Sequence, residues 1–385
     1  MIFPNKLTVN AGIHDRQYCP VTCFLPLEAK EIPRLVLRAP GVAKVVPCQI
    51  TRAKCGVRLD WVVDALRAGE SITYSLTPLD APCADRVVVV SEPDADTAAV
   101  FVDGKPFTTY RYGQQWARPF LHPVIGPGGV SMTRTWPIAD SVPGETTDHP
   151  HHKSIWVAYG ECGKVDNWSE EPGHGVQRHR RFDAVVSGPV FGGMVARIDW
   201  CHPSGRKQFE ERRSFRVYAL PNGVRLMDVE VAFRMSEGPV VFRDTKEGGL
   251  LSVRVATEMD GDKGGRIENA YGGVTERETW GKKSPWCDYS GVVKGKSVGI
   301  AVFDHEDNPR YPTEWHVRDY GLMTANCFAR SHYAPGRKER GDMAFRKGQR
   351  TTWRYRVYVH TGDARRGKVR ERFLDFIAPP EVVAE

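Results

Sequence analysis

The chain has 385 residues, of which 41% are hydrophobic, and its formal net charge is +7. This length and composition are sufficient for one large globular domain or for two unequal ones. No run approaches the roughly 18 apolar residues of a membrane helix, and the N-terminus lacks an export signal. Basic residues alternate with apolar or acidic ones, which favours solvated strand faces over a nucleic-acid surface.

The N-terminal part of the chain predicts a small β-sandwich. Short strand-like runs such as Leu35–Leu37 and Arg86–Val90 are bounded by turn residues. The polar segment Ser91–Thr97 contains a proline and is typical of a linker. We therefore expect a small N-terminal β-sandwich domain over residues 1–95 and a large β domain over residues 96–385.

Alternating apolar and polar residues dominate the rest of the chain. Thr351–His360 and Lys296–His305 both alternate in this way, as strands with one wetter face do. The pair Asn222-Gly223 separates two further runs and predicts a hairpin, because a tight turn needs positive φ angles. Only Arg370–Ile377 has a helical pattern. The fold class is therefore predicted to be all-β, with large packed sheets or a barrel.

Five of the twelve histidines lie between Asp148 and His179, mixed with carboxylates and tryptophans. A single histidine is most often an ordinary surface or core residue. Five together favour a functional site, because imidazole transfers protons near neutral pH and also binds metals.

One interpretation is that this stretch, with residues further along, binds a sugar. The apolar C–H faces of a pyranose pack on indole rings, and its hydroxyls need acidic, amide or imidazole partners. The predicted substrate-binding residues are His149, Trp156, Asp166, Trp168, Glu170, Trp286, His305 and His316.

A second interpretation is a divalent metal bound by His149, His151 and Asp166. Residues 149 and 151 would point the same way on a strand, which permits paired ligation. Pro150 disturbs a regular ladder, however, and the spacing matches no strong zinc pattern. The cofactor stays unknown, and a divalent metal is the one that these residues suggest.

The predicted catalytic residues are proton carriers and a cation. His152 or His174 would serve as the acid, and Glu247 or Asp288 as the base. Lys246 precedes Glu247 beside a glycine pair and would stabilise a developing oxyanion.

Several ordered motifs carry a resemblance to a known family. They are Arg118-Pro-Phe-Leu-His-Pro-Val-Ile-Gly-Pro-Gly-Gly, Asp148-His-Pro-His-His, Asp166-Asn-Trp-Ser-Glu, Gly173-His-Gly, Asp244-Thr-Lys-Glu-Gly-Gly and Asp304-His. Together they resemble the bacterial domain-of-unknown-function family often labelled the "PmoA family", over about residues 100 to 330.

The resemblance implies carbohydrate catabolism, since members accompany sugar-oxidising dehydrogenases, and a galactose-mutarotase-like supersandwich for the large domain. The label also names a methane oxygenase subunit, but that subunit spans membranes, and we do not transfer its activity to this chain.

We expect a cytoplasmic carbohydrate-active enzyme that performs epimerisation, β-elimination or hydrolysis on a sugar or glycoside. The alternatives are a non-catalytic carbohydrate-binding protein and a metal-dependent, cupin-like oxygenase or hydrolase. The expected partner is a small-molecule carbohydrate, with no nucleic acid and no membrane. The particular sugar and the oligomeric state stay open.

Overall fold

The computed structural model describes residues 4–26, 35–41, 45–53, 55–78, 87–139, 142–334, 336 and 338–385. Arg86, the first residue of one predicted strand, lies outside these ranges. Within them, no helix has the length and apolar character needed to cross a membrane. All strand pairs described below are antiparallel.

Twenty-seven strands are found in the described part of the chain. The first six are β1 (Lys6–Asn10), β2 (Arg16–Leu25), β3 (Leu35–Arg38), β4 (Val46–Ala53), β5 (Gly56–Leu66) and β6 (Ser71–Pro78). The next eight are β7 (Val88–Val90), β8 (Thr97–Val102), β9 (Lys105–Arg111), β10 (Phe120–Val124), β11 (Ile155–Tyr159), β12 (Glu161–Cys162), β13 (Val165–Asp166) and β14 (Val176–Val186).

The remaining strands alternate with short helical segments. The strands are β15 (Phe191–Cys201), β16 (Lys207–Tyr218), β17 (Arg225–Arg234), β18 (Val240–Phe242), β19 (Gly248–Arg254), β20 (Arg266–Asn269), β21 (Trp286–Val293), β22 (Lys296–Asp304), β23 (Trp315–Arg318), β24 (Leu322–Ala325), β25 (Met343–Phe345), β26 (Arg350–Thr361) and β27 (Glu381–Ala384). The α-helices are α1 (Thr275–Thr279), α2 (Arg330–Tyr333) and α3 (Val369–Ile377), and three 3-10 turns lie at Pro127–Gly129, Thr257–Met259 and Gly261–Lys263.

The first six strands form one sheet with the last strand of the chain, in the order β2-β5-β4-β3-β6-β1-β27. Strand β4 joins the two halves of this sheet, since Val46 and Pro47 pair with β3 while Cys48–Ala53 pairs with β5. The sheet has its own apolar core around Trp61. The domain boundary at residue 95 stays a prediction.

Two eight-stranded sheets form the main body. The first, which we call the site sheet, has the order β23-β24-β19-β11-β10-β9-β8-β7. The second, the opposite sheet, has the order β14-β15-β16-β17-β26-β22-β21-β20. Both contribute side chains to one continuous core, including Val157 and Val253 from the first and Val229 and Val357 from the second. The prediction of an all-β fold with sandwiched sheets is confirmed.

The local patterns also match their predicted elements. Trp353, Tyr355, Val357 and Val359 all point into the main core from β26. Strands β16 and β17 form a hairpin whose loop contains Asn222 and Gly223 at φ angles of 59° and 74°. The helix predicted at 370–377 is α3, and it packs on the outer face of the opposite sheet.

Alternation along the site sheet separates the core from a second, outer apolar layer. Ile155, Val157 and Tyr159 of β11 face the main core, whereas Trp156 and Ala158 face outward. Phe120 of β10 and Leu322 of β24 belong to the same outer layer, although the pairing of β11 with β19 shifts register after Val157. A four-stranded sheet, β13-β12-β18-β25, lies next to this region.

Candidate functional site

A pocket with a volume of about 750 Å³ lies over the outer face of the site sheet. Its wall comes from segments near residues 149–152, 160–169, 245–247 and 316–320, which are far apart in the sequence. Eight predicted site residues line it: His149, His151, His152, Asp166, Trp168, Lys246, Glu247 and His316. The volume suits a small-molecule ligand, since such pockets span about 300 to 1,000 Å³.

Aromatic rings form the floor beneath the histidines. Trp156 is 1% exposed, and the ring of His152 stacks on it with the centroids 5.4 Å apart. His149 lies almost parallel to His152, at 4.9 Å and 5°, and Tyr320 stacks on His149 at 4.6 Å. Trp156 therefore supports the histidines from below and is too deeply buried to stack on a sugar itself.

Asp148 anchors the loop of residues 149–152, which we call the histidine loop, through two arginines that are 0% exposed. Arg134 donates to its Oδ1 at 2.5 Å, and Arg254 donates to the same oxygen at 2.7 Å. Burial on its own raises the pKa of Asp148, but Arg254, Arg134 and a hydrogen bond from His149 lower it overall. The carboxylate is therefore ionised and lies between two guanidinium groups.

A second buried ion cluster lies on the other side of the loop. The Lys153 ammonium donates to both carboxylate oxygens of Glu170 at 2.7 Å, and Arg118 lies 3.1 Å from the same carboxylate. Lys153 and Arg118 expose only 5% and 2% of their side chains. Glu170 was predicted to contact substrate, and in the structure it is held by these two cations.

His152 is fixed in one tautomer by Arg254. A guanidinium can only donate, so the 3.2 Å contact between Arg254 and Nδ1 of His152 makes that nitrogen an acceptor. The proton of the neutral ring is then on Nε2. Burial lowers the pKa of His152 well below its usual value, and the neighbouring cations add to this. His152 can donate a hydrogen bond from the floor, but it lacks the extra proton that a general acid needs near pH 7.

His149 is oriented by its neighbour Asp148. Nδ1 of His149 lies 2.6 Å from Oδ2 of the ionised carboxylate, so this nitrogen carries a proton and Nε2 is left to react. The residue has a φ angle of 46°, and Arg134 holds its carbonyl at 3.0 Å. A non-glycine residue in this left-handed region is strained, and such strain concentrates at functional sites.

Glu247, Lys246 and His316 meet at the opposite wall. Nζ of Lys246 lies 2.5 Å from Oε1 of Glu247. Burial by itself raises the pKa of Glu247, but the hydrogen bond and charge of Lys246 lower it overall. Burial lowers the pKa of His316 to about 4, although Glu247 opposes that shift. Near neutral pH this wall therefore contains a carboxylate beside a neutral imidazole.

The glycine pair that follows Glu247 permits this arrangement. Gly249 has a φ angle of 145°, and a Cβ there would lie 2.4 Å from the carbonyl oxygen of Ala325. Only glycine allows β19 to approach β24 so closely. The close approach places Glu247 beside His316, which precedes β24 on the neighbouring strand β23.

Asp166 lies in the pocket wall, but its oxygens already accept hydrogen bonds from the chain. The amide of Trp168 donates at 2.6 Å, and both the amide and the hydroxyl of Ser169 also donate to it. No three His, Cys, Asp or Glu side chains of the described ranges are close enough to hold a metal ion. His149, His151 and Asp166 therefore do not form the expected ligand set.

Besides Trp156 and Glu170, which do not line the pocket, four predicted site residues lie away from it. Asp288 is 0% exposed on the outer face of the opposite sheet, where Nε2 of His360 lies 2.8 Å from its Oδ1. Trp286 packs in the apolar layer beneath α3, and His305 contacts Phe376 of that helix edge-on at 4.9 Å.

The fourth, His174, lies in the turn before β14 with Nδ1 2.6 Å from the carbonyl oxygen of Gly175. The sequence places these four near polar motifs, but the strands that hold or adjoin them, β14, β21 and β22, belong to the opposite sheet.

Several residues at the site were not anticipated from the sequence. Arg134, Arg254 and Lys153 build the ion clusters, and Tyr320 lies against His149. One signal was available for Arg254, because it occupies an outward position at the end of the fully buried strand β19. A charged residue at such a position needs a buried partner.

Comparison with other proteins adds the family. No curated protein matches the sequence significantly. A family model described as "Family of unknown function (DUF6807)" matches residues 97–373, which include every segment that lines the pocket. Since this match covers well over half of the chain, the protein belongs to that family of unknown function.

Proposed function

We propose that the pocket binds a sugar and that the chain is a carbohydrate-active enzyme which transfers protons on it, in an epimerisation, β-elimination or hydrolysis. The observation that supports this most is the convergence of distant segments, which brings imidazoles, a carboxylate and aromatic rings into one cavity. The partly exposed ring of Tyr320 suits the apolar face of a pyranose, and the polar groups suit its hydroxyls.

Glu247 is the proposed base. Its lowered pKa keeps it ionised, and it lies at the pocket wall with part of its side chain open to solvent. It would accept a proton from a sugar carbon, a hydroxyl or a water molecule. Lys246 beside it supplies the positive charge that stabilises an oxyanion as the proton leaves.

His149 is the proposed second proton carrier. Asp148 fixes its tautomer in the way that a carboxylate orients a catalytic imidazole, so Nε2 can take up a proton and return it. His152 keeps a supporting role as a donor from the floor, because Arg254 occupies its other nitrogen. This assignment differs from the expectation that His152 is the acid.

The test is an NMR screen of the protein with free sugars, sugar acids and glycosides, following both ligand binding and chemical change. We expect turnover of at least one compound and a loss of about 10²- to 10⁴-fold in rate for Glu247→Gln, the usual contribution of a positioned base. Glu258→Gln, an exposed carboxylate on a 3-10 turn outside the pocket lining, is the matched control.

The screen also separates this proposal from the binding alternative. Saturable binding without conversion of any compound would make the chain a carbohydrate-binding protein. Absence of both binding and conversion would remove the sugar proposal altogether.

We infer a cytoplasmic location, because all eight described cysteines are free thiols. We also infer that the "PmoA family" label refers to the same family, because the motifs behind the resemblance fall within residues 97–373.

A further inference from the structure

We infer that the ligand of this pocket is an acid sugar, a monosaccharide that carries a carboxylate, and that Lys164 at the rim helps to bind that carboxylate. The inference rests on the proposed function and specifies its substrate class. Three independent features of the site support it: the buried cations, the hydrogen-bond donors of the floor and the lysine at the rim.

Both buried ion clusters contain two cations in direct contact with one carboxylate. Arg134 and Arg254 share Asp148. Lys153 and Arg118 share Glu170. Within ion-pair distance each cluster therefore has one more cation than carboxylates, and its cations are 0% to 5% exposed. Carboxylates outside that distance, Glu145 and Asp260 near the arginine pair and Asp166 near Arg118, offset part of this charge. Buried charge that is not fully compensated is costly, and an anion bound above the floor would offset it.

Each acidic residue of the wall has a hydrogen-bond or charged partner on the protein outside the two clusters. Asp166 accepts from Ser169 and from a backbone amide, and Glu247 accepts from Lys246. Glu161 lies 3.9 Å from Arg243.

The floor also presents hydrogen-bond donors without acceptors. Arg254 fixes the proton of His152 on Nε2. The indole nitrogen of Trp168 is buried and has no hydrogen-bond partner in the described structure. Donor groups beside a positive field favour an acceptor-only group such as a carboxylate over a hydroxyl, which needs acceptors as well.

Lys164 supplies a cation at the rim. It lies with Gly163 in the two-residue turn between β12 and β13, and both have positive φ angles, 60° and 66°. Glycine or asparagine is preferred in such turns, so a lysine costs backbone strain there. The Lys164 side chain is exposed, lines the pocket and makes no hydrogen bond or ion pair with any described residue. A ligand carboxylate is the partner that would account for it.

The test compares matched pairs of methyl hexosides and methyl hexuronides in the gluco, galacto and manno series, which differ only in the carboxylate. Isothermal titration calorimetry should show that the uronide of at least one pair binds about tenfold or more tightly than its neutral partner, equivalent to one charge-assisted hydrogen bond. Added NaCl should weaken binding of the uronide and leave the neutral sugar unchanged.

Variants of the rim lysine identify its contribution. Lys164→Met should remove most of the preference for the uronide, and Lys164→Arg should keep it. Lys294→Met is the matched control, because Lys294 is also exposed in a hairpin turn at positive φ, 47°, and does not line the pocket. Circular dichroism and melting temperature verify that each variant is folded.

The outcomes distinguish this inference from the proposed function. If neutral sugars bind as tightly as uronides in every pair, or if Lys164→Met and Lys294→Met behave alike, the acid-sugar inference is wrong while sugar binding stands. If a uronide binds but is never converted, the inference holds and the catalytic proposal fails. If no member of any pair binds, both are wrong.

Discussion

The outer faces of the two large sheets are both rich in arginine, but they use it differently. On the opposite sheet a concavity of about 780 Å³ contains Arg180 and Arg197, which expose 52% and 39% of their side chains. Each pairs with a surface carboxylate, Asp199 and Asp183 respectively. On the site sheet, Arg134 and Arg254 are 0% exposed and share one carboxylate.

The two faces therefore differ in how deeply their arginines are buried, although both carry many of them. Exposed pairs in solvent contribute about 0 to 1 kcal/mol each and can be exchanged freely. Burying cations is costly, and the acid-sugar proposal gives those of the site sheet a role that would offset the cost. The following experiments test the contrast, in order of decreasing effect.

Asp148→Asn should produce the largest loss of stability. The change removes the carboxylate between two buried guanidinium groups and leaves both without a charged partner. We expect the free energy of unfolding to fall by about 3 kcal/mol, at the lower end for a broken buried pair because Asp148 itself is 36% exposed. Urea denaturation measures it. A loss below about 1 kcal/mol would place this cluster in the same class as the surface pairs.

The buried histidines should make stability depend on pH between about 6.5 and 4. Burial lowers the pKa of His316 and of His151 to about 4, so in this window the unfolded chain binds more protons than the folded chain. The contribution of these histidines to stability is therefore fully present above pH 6.5 and is lost as the pH is lowered towards 4.

Replacing His316 by Gln should reduce this pH-dependent loss by about 2 to 3 kcal/mol, measured by urea denaturation across the window. The same replacement at His202, in the surface turn after β15, is the control and should leave the dependence as it was. Equal curves for His316→Gln and the unaltered protein would show that His316 is not buried as described.

Lys164→Gly should stabilise the protein by about 1 kcal/mol, because glycine relieves the cost of a side chain in the left-handed region. Lys294→Gly should give a similar gain, since Lys294 has the same backbone conformation. Only the first change should weaken binding of a sugar acid. A gain in stability without any loss of binding would make Lys164 an ordinary turn residue.

Asp183→Asn should have the smallest effect. Asp183 lies near two arginines, as Asp148 does, but Arg181 and Arg197 expose 68% and 39% of their side chains. We expect a loss of less than about 1 kcal/mol, which 1 M salt should remove. A loss comparable to that of Asp148→Asn would mean that burial is not what separates the two faces.

The fold could be predicted largely from period-2 alternation and turn chemistry. Trp353, Tyr355 and Val357 marked one buried face of β26, and Asn222-Gly223 marked the hairpin. These signals are local, because both depend on neighbouring residues along the chain. The pairing of β27 with β1 is not local, and nothing near either strand indicates it.

The site could be predicted only in part. The concentration of histidines identified the loop from His149 to His152, and the glycine pair identified Glu247. The structure brings these together in one pocket. Asp288 has an equally suggestive sequence neighbourhood, yet it lies on the opposite sheet, because the sheet that a strand joins depends on pairing with residues far away in the chain.

The pairing of β27 with β1 has a consequence for the order of assembly during synthesis. Strand β1 pairs with β6 on one side and with the last strand of the chain on the other. While the ribosome is still translating the two large sheets, the free side of β1 offers unpaired amide and carbonyl groups to any neighbouring nascent chain. Strand β27 follows both large sheets in the sequence, so it covers an edge of β1 that was synthesised well before it, and a chain truncated before Glu381 would keep that edge unpaired.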